Sequence, residues 1–417
     1  MDLHLEKAKD KRQKAKVKIT GSKSETNRLL LLQALYPNLT LENTSNSDDS
    51  EVMQKALNSQ FTIHNSELID VHHAGTAMRF LTSFFAIQEG KEVVLTGSSR
   101  MKERPIKILV DALNQLGAEI SYEENEGFPP IRIKGKKLTQ NKVSLPANVS
   151  SQYISALLLI APKLENGLEL TLEGEITSVP YIKMTLTLLN EIGVKTSFVG
   201  NKITVCHAEL VSASQLTVES DWSSASYWYS IVALSEIGIQ ISLSSYKENS
   251  LQGDSALVEI YQDFGVETTF NSDNSITISK ERIHNSQLTT HNSQLNNSPD
   301  IAQTIAVTCF GLGMGCDLTG LHTLKIKETD RLEALKMELT KLGAEISVTN
   351  DSLYLKSSSA IKEKISISTY QDHRMAMAFA PLALKVPIII ENAEVVSKSY
   401  PSFWEDLKSV GFDVNEI

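Results

Sequence analysis

One pattern constrains this chain more than any other. A helical segment ends in an apolar residue, then comes glycine, then a small or apolar residue, then a strand. It occurs as LNQLGAEISY with Gly117, LNEIGVKTSF with Gly193, YQDFGVETTF with Gly265, LTKLGAEISV with Gly343 and LKSVGFDV with Gly411. A weaker first copy, ALNSQFTIHN, has Gln60 at the glycine position. Glycine just past the last turn adopts the left-handed conformation that closes a helix, and the alternating residues after it read as a half-buried strand. A second strand follows a polar turn, most clearly in FVGNKITV and VTNDSLYLKS. The copies recur at roughly 55–80 residues, too long for a solenoid repeat, and 417 residues is long for one core. The pattern predicts an α/β (α+β) protein of two similar domains, each of three βαβαββ units, with a boundary near Glu219. The related polar stretches IHNSEL (63–68), IHNSQL (283–288) and THNSQL (290–295) read as inserted surface loops.

A second pattern is electrostatic. GSKSETNRLLLLQAL puts Lys23 and Arg28 at the start of an apolar helix, where cations oppose the helix dipole. HAGTAMRFL repeats the fault with Arg79 just after Gly75, and YQDHRMAMAFA repeats it with Arg374. IKETDRLEAL sets Lys327 and Arg331 four apart, a spacing that shares one helix face. SSRMKERPIKIL carries Arg100, Lys102 and Arg104 before Pro105, a favoured first helical residue. An anion in front of these helix ends removes the fault, because backbone N–H groups, dipole and cations then act together. Hydroxyls support the same reading: Ser150 and Ser151 with Gln152 at one helix start, and Ser178 with Tyr181 at another. The net charge is −10, so such a site is built locally, and nucleic acid and anionic membrane are excluded as partners. A small substrate with several negative charges fits.

Other chemistries find no support. GSKSETNR is not a phosphate loop of the GxxxxGK[ST] type, and no GxSxG elbow occurs. FGLGMGC reads as a helix-ending glycine turn rather than a dinucleotide fingerprint, and His72–His73 lacks companion metal ligands. Cys206, Cys309 and Cys316 form no CxxC pair and suit a reducing compartment. The charged N-terminal stretch has no apolar signal region, and the longest apolar runs are too short to span a bilayer. The expected location is the cytoplasm.

The motifs AGTAMR, RMKERPI, SSQY, SASYW, QGD, KETDRL and DHRMAM occur in that order, and together the chain resembles the enolpyruvyl transferase family from GSKSETNR to SKSYPSFWEDL. The resemblance implies an inside-out α/β barrel in each domain. It also implies that residues 20–219 form the shikimate-phosphate side, and that residues 1–19 with 220–417 form the phosphoenolpyruvate clamp side, the strand around Lys16–Thr20 crossing over. The implied reaction transfers the enolpyruvyl group of phosphoenolpyruvate to the 5-hydroxyl of shikimate 3-phosphate by addition and elimination, in aromatic amino acid biosynthesis. It implies no metal and no organic cofactor, and a monomer.

The resemblance also implies roles. Lys23 contacts phosphoenolpyruvate and takes part in proton transfer; Ser24 and Arg28 hold the shikimate carboxylate. Ser150, Ser151 and Ser178 hold the 3-phosphate, with Gln152 and Tyr181 beside the ring and Thr323 and Lys327 reaching the same substrate. Gly75 allows close approach of phosphoenolpyruvate, Arg104 and Lys398 bind its phosphate, Gln152 also meets it, and Arg331 and Arg374 clamp its carboxylate. Asp300 accepts the 5-hydroxyl proton, while Glu328 and Lys23 both remain open for the C3 proton. Departures from the family pattern are His73 and Thr323, where asparagine is common, and Phe80, where proline is frequent. Competition by glyphosate is a further implication. A sister transferase acting on UDP-N-acetylglucosamine carries a cysteine in the loop matching TGSSRMKERP, and this chain has none there. An inactive anion-binding relative is disfavoured by Lys23, Asp300, Glu328, Arg331, Arg374 and Lys398, and an RNA-end cyclase by the charge.

Overall fold

The computed structural model describes residues 1–8, 14–58, 67–174, 176, 179–212, 215–282, 289–327 and 329–417. The chain divides into two compact units: a first unit of Gly21–Val218 and a second of Met1–Thr20 with Glu219–Ile417.

Each full repeat builds one four-stranded sheet with the same logic, a parallel pair followed by two antiparallel strands. In the first unit Glu67–Asp70 runs parallel to Glu92–Thr96, followed by Ile131–Lys134 and Glu119–Tyr122. Lys142–Pro146, Leu168–Glu173, Lys202–Val205 and Thr196–Val199 repeat it. In the second unit the sheets are Lys14–Val17, Gln240–Leu243, Ile276–Lys280, Val266–Phe270; then Thr290–Gln294, Gly315–Thr319, Leu353–Leu355, Ile346–Val348; then Ile365–Ile367, Ile388–Ile390, Leu3–Lys7, Phe412–Glu416. The remaining pair, Thr40–Glu42 with Gln215–Thr217, is parallel; the copy carrying Gln60 continues into residues 59–66, outside the described residues.

Two strands are exchanged between repeats. Lys14–Val17 precedes the first helix of the first unit but pairs with Gln240–Leu243. Gln215–Thr217 precedes the first helix of the second unit but pairs with Thr40–Glu42. The five repeat glycines all close their helices at positive φ, from 72° at Gly265 to 104° at Gly343 and Gly411. Gly313, in FGLGMGC, likewise ends the helix Ala302–Leu312 at φ 77°.

The first helix of each repeat is the buried one. In the first unit Lys23–Leu35, Gly75–Ala86 and Ser151–Ile160 pack on one another; in the second, Ala302–Leu312 packs on both Trp222–Leu234 and His373–Phe379. The helices are inside and the sheets outside, which is why side chains on every face of these helices are buried.

Two of the stretches read as loops contain strands. Thr290–Gln294 is an edge strand in parallel register with Gly315–Thr319, and His291 on it is buried with Nδ1 2.9 Å from Asp263 Oδ2. Glu67–Asp70 is likewise an edge strand. An edge strand needs only one buried face, so polar composition does not forbid it; the backbone ladder overrides the local signal. Residues 63–66 and 283–288 lie outside the described residues.

The chain enters the first unit through a narrow passage. A Cβ on Gly21 would lie 2.0 Å from Asn43 O and 2.6 Å from Val218 Cγ1. Val218 is tied there by its N–H to Glu42 O (2.9 Å) and by Asn43 Nδ2 to its own carbonyl (2.9 Å). Gly21→Ala should therefore destabilise the fold by about 1–3 kcal/mol through overpacking. Urea denaturation of the two proteins checks this, and an unchanged midpoint contradicts it.

Candidate active site

The buried helices share a positional rule. Thr76, Gln152, Ser223 and Arg374 are each the second residue of a central helix, and each is the only residue of its helix that is not buried. Ser24 takes the same position in Lys23–Leu35, and Asp300 takes it in the Pro299–Ile301 turn that runs into Ala302–Leu312. These positions meet within each unit. Gln152 Nε2 donates to Thr76 Oγ1 (3.0 Å) in the first unit. In the second, Arg374 Nη2 lies 3.2 Å from Ser223 Oγ and 3.3 Å from Asp300 Oδ2.

In the first unit, Lys23 is the first residue of its helix, and its Nζ lies 3.4 Å from Asp49 Oδ2. Glu25, buried in the same first turn, supplies the negative charge that the dipole favours there. Arg28 is buried and, among the described residues, donates to neutral groups: Ser24 O (2.7 Å), Thr185 Oγ1 (2.8 Å) and Ser155 Oγ (3.0 Å). The rings of Phe80 and Tyr181 flank its guanidinium, with centroids at 5.4 and 5.8 Å. Burial pulls its pKa down to about 10, which leaves it charged at neutral pH. Ser150 caps Ser151–Ile160 by accepting from Gln152 N (3.4 Å), so Ser150, Ser151 and Gln152 share one helix start, and Tyr181 lies in the first turn of Val179–Glu191.

Arg104 packs on Gly75: a Cβ there would lie 2.4 Å from Arg104 Nη1. The space at Gly75 is thus used by a guanidinium of the protein itself. Arg79 does not face outward as its sequence position suggested. It is buried, donating to Gly75 O (3.1 Å) and Pro105 O (2.9 Å), and so holds the loop that carries Arg104. Pro105 is not helical; the helix begins at Lys107, because Arg79 and Tyr153 Oη (2.6 Å) both hold the Pro105 carbonyl.

In the second unit, cations and carboxylates alternate. Asp372 caps the helix His373–Phe379 through Arg374 N (2.9 Å) and receives Arg331 Nε (2.6 Å). Arg331 Nη1 reaches Asp300 Oδ1 (2.8 Å), and Lys327 Nζ lies 3.5 Å from the same oxygen. Lys327 and Arg331 therefore converge, but not on one helix face: the helix begins at Arg331 behind an Asp330 cap, and Lys327 precedes it. Burial pushes the Asp300 carboxyl up, but Arg374, Lys327 and Arg331 outweigh it and hold it well below the usual carboxylate range. Arg374 is lowered by burial yet raised more by Asp300, and ends well above the usual arginine value. Lys398 Nζ donates to Gln371 O (2.7 Å), and Thr323 Oγ1 is buried with no partner among the described residues. Ser178 and Glu328 lie outside the described residues.

Sequence reasoning missed Asp49, Ser223, Asp254 and Asp372. Asp372 and Asp254 stand inside motifs already quoted, DHRMAM and QGD, and a carboxylate two residues before Arg374 is a helix-cap signal. Asp254 is buried, accepts a short hydrogen bond from Ser223, and is raised to about 7 by burial and by the neighbouring Asp300 charge. Among the described residues no group of three or more His, Cys, Asp or Glu side chains is arranged to hold a metal.

The chain is similar to known proteins over nearly its whole length. A model of the family described as EPSP synthase (3-phosphoshikimate 1-carboxyvinyltransferase) matches residues 38–407. A protein named 3-phosphoshikimate 1-carboxyvinyltransferase from Bacteroides fragilis (strain YCH46) is 45% identical, with 96% of both chains covered. One of the same name from Haemophilus influenzae (strain PittGG) is 35% identical, covering 94% of this chain and 96% of that one. The solved EPSP synthase of Acinetobacter baumannii matches over 100% of both chains with a TM-score of 0.80 at 21% identity, a likeness of fold.

Asp254 gives a pH prediction. Its pKa rises from 3.8 unfolded to about 7 folded, so between those values the folded state keeps a proton that the unfolded state has lost. Its contribution to stability is present below the lower value and falls as pH rises towards the upper one. Asp254→Asn should melt progressively higher than the parent as pH goes from about 5 to 8, by a few degrees at the top. A melting difference that does not change with pH refutes this.

Proposed function

We propose that this chain, which belongs to the EPSP synthase family, is a working 3-phosphoshikimate 1-carboxyvinyltransferase. The enzyme moves the enolpyruvyl group of phosphoenolpyruvate to the 5-hydroxyl of shikimate 3-phosphate and releases phosphate, within aromatic amino acid biosynthesis. The acceptor oxygen bonds to C2 of phosphoenolpyruvate while C3 gains a proton, and the hydroxyl proton goes to Asp300. The tetrahedral adduct then loses a C3 proton, the C2–O bond to phosphate breaks, and phosphate departs with the electron pair.

The roles divide between the units. In the first, Arg28 with Ser24 receives the acceptor carboxylate; Ser150, Ser151 and Ser178 take its phosphate, with Gln152 and Tyr181 at the ring. Arg28 suits this because its buried charge is met by hydroxyls, a carbonyl and aromatic faces, none of which neutralises it. Arg104, seated against Gly75, takes the phosphoenolpyruvate phosphate together with Lys398. Lys23 and Glu328 both stay open for the C3 proton. In the second unit Arg331 and Arg374 clamp the phosphoenolpyruvate carboxylate, and Lys327 with Thr323 meets the acceptor. The observation that carries the reading is the Asp300 cluster, which gathers a carboxylate-binding set of cations and a base in one place. The reading needs no metal or organic cofactor. It takes the protein as a cytoplasmic monomer without a nucleic-acid partner, the last disfavoured by the net charge of −10. Among the described residues no helix is long and apolar enough to cross a membrane.

Purified protein given phosphoenolpyruvate and shikimate 3-phosphate should release inorganic phosphate, and no release above background sinks the proposal. Lys23→Ala should lose nearly all turnover; a variant at the parent rate removes Lys23 from the mechanism. Arg28→Lys should raise KM for the acceptor about tenfold with kcat much less affected, because an ammonium cannot reproduce the planar fork. An unchanged acceptor KM refutes that role.

A further inference from the structure

Asp300 stands out among the six equivalent positions at the helix starts. Ser24, Thr76, Gln152, Ser223 and Arg374 all offer hydrogen-bond donors there, and Asp300 alone is an anion. Both of its oxygens are engaged by cations: Oδ1 by Arg331 Nη1 (2.8 Å) and Lys327 Nζ (3.5 Å), Oδ2 by Arg374 Nη2 (3.3 Å). The Nε side of Arg331 belongs to Asp372, through Nε (2.6 Å) and Nη2 (3.4 Å). Nη1 and the guanidinium of Arg374 thus turn to Asp300 as they would to a bound carboxylate.

We propose that Asp300 is an internal competitor for the carboxylate clamp: it sits on Arg331, Arg374 and Lys327 where a substrate carboxylate binds, and the arriving carboxylate frees it to act as a base. The inference rests on the reading of Arg331 and Arg374 as that clamp. It resolves a conflict in the chemistry. A carboxylate held by three cations is a weak base, yet the reaction asks this group to take a hydroxyl proton. A second carboxylate shares the same cations, weakens their hold on Asp300 and restores its basicity. The base is thereby switched on by the substrate it serves, at a cost in affinity for that substrate.

The cost is measurable. Phosphoenolpyruvate is titrated calorimetrically into the parent protein, Asp300→Asn, Asp300→Ser and Asp254→Asn, with no acceptor present and therefore no turnover. Asp300→Ser places at this position the residue that the equivalent turn carries at Ser223, which guards against a variant that fails to fold; circular dichroism verifies each fold. Loss of the competing carboxylate should tighten binding about fivefold or more, while Asp254→Asn, at a carboxylate that bonds Ser223 and reaches Arg374 only through its field, should gain about twofold or less. Equal or weaker binding by the folded Asp300 variants overturns the proposal. So does an equal gain in Asp254→Asn, because that would reflect the local field rather than occupancy. Phosphate release by the parent with both substrates is scored separately, so a failure of the enzymatic reading is distinguishable from a failure of this one.

Discussion

Both units depend on helices that are buried along nearly their whole length. Such a helix meets solvent only at its ends; polar groups on its sides, such as Ser155, are buried and must find partners inside. In four repeats the parallel strand pair is joined through that helix, and in the two repeats that exchange strands the pair is parallel as well, so every repeat has the same chain direction. The helix starts of a unit therefore gather at one end, and their dipoles add. This explains why the second residue of four different helices is the only one not buried: it is the first place where a side chain reaches outside the core.

Positive helix ends fringed with arginine need counter-charge, and the units supply it differently. Around Arg28 the charge is tolerated by hydroxyls, a carbonyl and two aromatic faces, with Glu25 nearby. Around Arg331 it is neutralised by Asp372 and Asp300. A buried ion pair contributes little net stability, but removing one partner costs about 3–5 kcal/mol because the other charge is left unmatched. The second unit is thus committed to its carboxylates in a way that the first is not. That commitment makes the same residues suitable for exchanging one carboxylate for another.

Much of this was legible in the sequence, for a physical reason. Gly117, Gly193, Gly265, Gly343 and Gly411 are needed at positive φ, so the repeat is written in residues that cannot easily change. The cations at helix starts are legible because they violate the dipole rule. What local reasoning could not see was who answers them. Arg79 and Arg331 look alike in sequence, each at a helix start; only the fold turns Arg79 onto the Pro105 carbonyl and Arg331 onto two aspartates. The strand Thr290–Gln294 was missed because its pairing partner, not its composition, makes it a strand. Lys327 and Arg331 meet through a bend rather than through helix periodicity, and a spacing of four residues does not distinguish the two.

One strained turn stands next to the carboxylates that hold the arginines. Tyr370 and Gln371 both have positive φ, 54° and 58°, in the turn closed by Asp372 N to Thr369 O (2.9 Å). Asparagine and glycine usually supply such turns, and each other residue forced there costs about 1–2 kcal/mol. The turn persists because its surroundings hold it: Tyr370 Oη donates to Glu338 Oε1 (2.6 Å), and Lys398 Nζ binds the Gln371 carbonyl (2.7 Å). The next residue is Asp372, which both caps the helix carrying Arg374 and fixes Arg331. A relaxed turn would move that carboxylate off Arg331 Nε and uncap the helix that carries Arg374. Lys398 therefore has a structural duty beside the phosphate role proposed for it. In that proposed role, an anion that draws Lys398 off Gln371 acts on the turn that positions Asp372.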